Sequence, residues 1–82
     1  MSANFQFHES FGVEDAVNLH KDLSRIGPRT AVVIDLSDVR YVTEAAIEAL
    51  AAALKSIAGR RIFGVGFEGV GLREFRALGV TC

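Results

Sequence analysis

Cysteine is nearly absent from this chain: Cys82 is the only one, and it is the last residue. A disulfide framework is therefore excluded, and an 82-residue domain must find its stability elsewhere, in its core or in assembly with other chains. An excess of either charge is missing too. Nine basic residues against ten acidic give a net charge of −1, which leaves no electrostatic footprint for nucleic acid or for an anionic membrane. Long apolar runs are also lacking. The longest, Ala45 to Ala53, is interrupted by Glu48 and is too short to cross a bilayer. The residues after Met1 show no basic stretch followed by an apolar one, so no signal peptide is read there. Metal donors are scarce: His8, His20 and Cys82 are widely separated, and nothing supplies the four spaced ligands of a zinc site. These absences lead us to expect a soluble cytoplasmic domain spanning residues 1–82, without metal or cofactor and with no direct insertion into a membrane.

Half of the residues are hydrophobic and 23% are charged, an ordinary globular balance. Their spacing changes period along the chain. Phe5 and Phe7 alternate with Gln6 and His8, which predicts a strand near residues 4–9. From Val13 a helical stripe follows, Val13, Ala16, Val17, Leu23 and Ile26, with Glu14 and Asp15 suited to its N-terminal end and Gly27-Pro28 closing it. Thr30 to Leu36 reads as a buried strand, ended by Asp35 and by turn chemistry at Ser37-Asp38. Val39 to Val42 then lead into a helix that Thr43 caps, with Ile47, Leu50, Leu54 and Ile57 on one face and Gly59 at its close. Arg61 to Phe67 predicts another strand, Val70 to Leu78 a short helix, and Val80 to Cys82 the start of one more strand. Alternation of this kind implies an α/β domain, a sheet of three to five mostly parallel strands joined by right-handed crossovers with helices packed against it.

The run from Val32 to Val80 resembles the core of a STAS domain, the sulfate-transporter and anti-sigma-factor-antagonist family. The resemblance rests on a strand ending in Asp35-Leu36-Ser37, a Val39 turn, the pair Tyr41-Val42, a long helix, a glycine-containing strand, and a short helix ending in Leu78-Gly79-Val80. It implies a non-enzymatic regulatory domain that binds other proteins in a bacterial cell: an anti-sigma factor or a kinase-like protein, or a transporter subunit if the domain is an accessory one. It also implies a contact surface from Asp38 to Ile47 and along the exposed side of the next helix, with Asp38, Tyr41, Thr43, Glu44, Ala45, Ile47 and Glu48 as partner-binding residues.

Two departures from the family pattern matter. Switching members carry Asp-Ser-Ser-Gly-Leu where this chain reads Thr43-Glu44-Ala45-Ala46-Ile47, so the position usually phosphorylated is Ala45, which has no hydroxyl. Glu44 supplies a permanent charge beside it, either imitating the phosphate or simply complementing the helix dipole. Thr43 stands at the family's Asp position and is a possible phosphosite, although capping also accounts for it. The family's further N-terminal strand and C-terminal helix have no counterpart here, and an unpaired strand edge predicts a homodimer or a larger assembly.

Other motifs have plainer readings. Gly64, Gly66 and Gly69, followed by Gly71, spell G-x-G-x-x-G within GVGFEGVG, but only 11 residues follow Gly71, too few for the acidic ribose ligand of a dinucleotide site. Tight packing of the last helix explains these glycines better. Ser10, Ser24, Ser37 and Ser56 lack a nucleophile-elbow context. Asp35, at a strand's carboxyl end, either pins the following turn or, with Thr43 and Gly66, lines a small-ligand site. Arg60-Arg61 reads as a solvated edge.

Overall fold

Seven elements form in the order β1 (Ser2–Phe11), α1 (Val13–Leu23), β2 (Ala31–Val42), α2 (Glu44–Lys55), β3 (Ile62–Val65), α3 (Leu72–Ala77) and β4 (Val80–Thr81). The computed structural model describes all residues, Met1–Cys82. The four strands make one sheet in the spatial order β1-β2-β3-β4, and every neighbouring pair is parallel. The α/β architecture expected from the alternating periods is thus the one observed, with all strands parallel.

That strand order decides where the helices go. Each strand lies beside its predecessor, so three crossovers of one hand deposit every helix on the same side of the sheet. Accordingly α1 packs against α2, and α3 lies beside α2 and contacts β4. Alternate strand residues separate the two faces. Val32, Ile34, Leu36, Ile62 and Val80 are buried beneath the helices, with Phe5 and Phe7 half-buried beside them. Asn4, Gln6, Val33, Asp35, Phe63 and Val65 occupy the other face, which no helix covers.

One cluster of 17 buried residues forms the core. α2 contributes Ala46, Leu50, Ala53 and Leu54, and Ile57 follows it in the closing turn, while Ile47 is only half-buried. α2 packs closely against α1, and the small alanines along it permit that approach. Two edge-to-face aromatic pairs close the ends of the core. Phe7 and Phe11 have ring centroids 4.8 Å apart, and Phe67 and Phe75 5.0 Å. No polar side chain is buried.

Several boundaries differ from expectation. β1 extends to Phe11, and β2 does not end at Asp35 but continues to Val42, so Ser37-Asp38 is not a turn. α2 ends at Lys55 rather than at Gly59, β3 stops at Val65, and α3 covers only Leu72–Ala77. On α1 the buried stripe is Ala16, Leu19 and Leu23, whereas Val13 and Val17 are 44% and 45% exposed. These two valines lie roughly 100° around the helix from that stripe, on the side turned away from the sheet and α2. Arg60 is not a solvated residue: its Nη1 donates to the Ile26 carbonyl at 2.7 Å and ties the α1–β2 connection to the α2–β3 connection.

No helix is long and apolar enough to cross a membrane. The placement of α1 carries a direct check. Leu19→Ala should cost about 2–5 kcal/mol, while Val17→Ala should stay within about 0.5 kcal/mol, as read by urea denaturation. Similar losses for the two variants would mean that α1 is rotated from the orientation described.

Candidate functional site

The carboxyl end of the sheet is shaped by a difference in strand length. β3 keeps register with β2 only as far as Asp35 opposite Val65, but β1 and β2 remain paired up to Phe11 opposite Val42. Beyond the end of β3 the two long strands therefore continue as a two-stranded ribbon. The sequence favours this extension, because Val39, Tyr41 and Val42 are all strand-forming residues. Val39 and Val42 pack against the core, and Tyr41 projects outward with 65% of its surface exposed.

Two bulges bend the ribbon. Between the pairs Gln6–Asp35 and His8–Asp38, two residues of β2 (Leu36 and Ser37) oppose Phe7 alone, and Arg40 is a further extra residue between the pairs Glu9–Val39 and Ser10–Tyr41. Glu9 adopts a positive φ of 65° beside the second bulge. At the first bulge the Asp35 carboxylate accepts two hydrogen bonds at Oδ1, from the Ser37 hydroxyl at 2.6 Å and from the Ser37 N–H at 2.9 Å. Asp35 does fasten the local backbone, as one of its two expected roles required, but what it fastens is a bulge inside a strand. Those bonds, the hydroxyl's first, hold the carboxyl below its ordinary value of 3.8.

Gly66 lies against the same bulge. Its φ is 76°, and a β-carbon there would sit 2.5 Å from the Ser37 nitrogen. Gly64 has a different reason: a β-carbon would press within 2.9 Å of Phe67 and Val80. These two glycines serve backbone approach and packing. Between the ribbon and the loop after Gly66 lies an open groove of about 420 Å³, lined by Val39, Arg40, Val42, Glu68 and Val70 among others.

The start of α2 adjoins the ribbon. Thr43 is its N-cap, with Oγ1 accepting the Ala46 N–H at 3.1 Å, and its side chain remains at the surface. Glu44, Ala45 and Glu48 are exposed on the first turns. The expected partner-binding residues fall into three neighbouring places. Tyr41 and Thr43 line a concavity of about 590 Å³ with Ser10, Glu14 and Arg40. Glu44, Ile47 and Glu48 meet Val70 and Glu74 in a smaller cleft of about 270 Å³ between α2 and α3. Asp38 faces away from both, its carboxylate 3.3 Å from His8 Nδ1. Thr43 and Gly66 line separate cavities, so the ligand site imagined from Asp35, Thr43 and Gly66 together does not form.

Arg40 and Glu74 belong to this surface although sequence reasoning gave neither a part in it. Arg40 lines both larger concavities, and only a strand read through Ser37-Asp38 would have placed it there. Glu74 enters through the fold, because α3 lies beside α2. Comparison with family models, with curated proteins and with solved structures finds no match to this chain.

The geometry of the bulge makes two measurable demands. Gly66→Ala should destabilise the protein by roughly 2 kcal/mol or more, through backbone collision and strain at positive φ, while Gly69→Ala, with nothing within 4 Å of its β-carbon, should be near neutral. Thermal melts of the two variants check this. The lowered Asp35 pKa stabilises the fold above the ordinary value of 3.8, and that contribution is lost as pH falls through the folded-state value. In Ser37→Ala an NMR titration should find the Asp35 carboxyl moved back up toward 3.8; an unchanged midpoint would contradict the assignment to Ser37.

Proposed function

We propose that this chain is a regulatory protein-interaction domain of the STAS type. It docks a protein partner where the β1–β2 ribbon meets the start of α2. The observation that carries this reading is the placement of Tyr41, 65% exposed on a projecting ribbon, beside the exposed first turn that bears Glu44, Ala45 and Glu48. A large amphipathic ring on a rigid support is the kind of side chain that concentrates binding energy in interfaces. The ribbon supplies such a support because Val39 and Val42 anchor it to the core.

The position that aligns with the family's phosphoserine is Ala45, exposed on the first turn of α2. With no hydroxyl there, docking is constitutive and independent of phosphorylation at that residue. Glu44 and Glu48, together with Glu74 across the small cleft, select a partner with basic side chains around an apolar contact for Ile47. Such a partner is an anti-sigma factor or a kinase-like protein of a bacterial cytoplasm. A transporter subunit meets the same requirements if the domain is an accessory one.

The open groove beside the ribbon supports a second reading, a small ligand held between Arg40 and the Gly66–Val70 loop. Affinity capture from source-cell lysate with the immobilised chain separates the two. On the interaction reading one protein is retained specifically, and Tyr41→Ala or Glu44→Lys weakens its retention at least about tenfold, roughly 1.4 kcal/mol. Arg25→Glu, at the opposite end of the molecule, should leave retention unchanged. Equal retention by all variants would remove the ribbon–α2 surface from consideration. No retained protein, with a bound metabolite in native mass spectrometry, would favour the ligand reading.

A further inference from the structure

We propose that the open face of the sheet is a self-association surface, on which a second copy of the chain packs with its strands antiparallel to those of the first. This surface is centred on β2 and β3 and adjoins the docking site at the ribbon, where Asp38 belongs to both.

The face has an apolar centre. Val33 pairs with Phe63 across β2 and β3, and Val65 follows on β3, next to Asp35. Phe63 and Val65 are 39% and 45% exposed. A β-sheet face that carries adjoining Val, Phe and Val side chains in water gains by being covered.

What covers it follows from charge. All three helices run opposite to the strands, so their first turns gather at the carboxyl end of the sheet and their last turns toward the amino end. Glu14, Asp15, Glu44 and Glu74 occupy first turns, and Lys21, Lys55 and Arg76 occupy last turns. Loops reinforce the difference, with Arg25, Arg29 and Arg60 at the amino end and Glu68 at the other. Asp22 at the amino end and Arg40 and Arg73 at the carboxyl end are the exceptions. Those helix charges lie on the far side of the sheet, beyond the reach of a copy on the open face; the charges that meet it are on the face itself, with Arg61 before β3 next to the buried Ile62, and Asp35 and Asp38 toward the far end of β2, Asp38 beside His8.

Two copies related by a two-fold axis across the strands would place Val33, Phe63 and Val65 of one against the same residues of the other. Arg61 of each copy would then meet the Asp35–Asp38 end of its mate. The contact is self-complementary and closes at two chains. A parallel arrangement would set like charges together at both ends. A head-to-tail stack would match charges but leave the apolar face bare. Four strands spaced about 4.8 Å offer on the order of 500 Å² per copy, near the lower limit for a specific interface, so the dimer is a weak one.

Sedimentation equilibrium at low salt, from about 5 to 500 μM, tests the proposal; the expected dissociation constant is on the order of 10 μM. Phe63→Lys, on an exposed position that leaves the core intact, should raise it at least about tenfold. Arg61→Asp and Asp38→Arg should each weaken the dimer, and the two together in one chain should restore it. Circular dichroism confirms that each variant is folded. A wild type that stays monomeric throughout would overturn the proposal. So would dimerisation indifferent to Phe63→Lys, assemblies that grow beyond two chains, or failure of the double exchange to restore association.

Discussion

The hand of the crossover connections is the constraint on which the rest of this structure depends. Parallel strands laid down in chain order, each beside the last, allow only one side for helices when every crossover turns the same way. The sheet therefore has one face beneath α1, α2 and α3 and one face in water. This division explains why Val32, Ile34 and Leu36 are buried while Val33 and Asp35, their immediate neighbours in sequence, are not. It also explains how a chain of this length assembles a core of 17 buried residues without any buried polar side chain. All the apolar residues that matter converge on a single interface between sheet and helices.

A second feature grows from the first. Because α2 must return to the amino end before β3 begins, and β3 is only four residues long, β2 outruns it toward the carboxyl end. The surplus length of β2 has one partner, β1, and the two strands leave the sheet together. A flat ribbon of that kind would be an aggregation-prone edge, but the two bulges bend it and break the regular ladder. The hydrogen bonds from Ser37 to Asp35 and the close passage of Gly66 fix the bend where β3 departs. Tyr41 and the capped start of α2 owe their positions to this joint.

Much of the architecture was legible because period and length are local properties. The switch from alternation around Phe5 and Phe7 to helical spacing after Val13, and the β-branched run Ala31 to Ile34, identify element types by themselves. Thr43 as a cap followed from its place before an apolar stripe, and its hydrogen bond to Ala46 matches. What was not legible depends on partners. Ser37-Asp38 has turn chemistry, and only pairing with β1 keeps it extended; the bulge absorbs the misfit that its local preference creates. Val13 and Val17 resemble core residues by type, yet the choice between two possible faces of α1 was made by α2 and the sheet, favouring Ala16, Leu19 and Leu23. Of the surface around Tyr41, the residues on α2 were named by the family resemblance. Arg40 and Glu74 were not, since one needed the length of β2 and the other the adjacency of α3 and α2.

Local electrostatics has a global consequence in this architecture. An acidic first turn and a basic last turn each contribute only about 0.3–1 kcal/mol to one helix, a modest and short-ranged effect. In a bundle of antiparallel helices such choices alternate and cancel. Here all helices run the same way, so identical local choices add and give the molecule an acidic end and a basic end despite a net charge of only −1. Screening limits the reach of that field to about 8–10 Å at physiological salt, so it orients partners at contact without drawing them from afar. The acidic end is also the end where the ribbon and the start of α2 stand. The basic partner proposed above would meet there a polarity that began as helix capping.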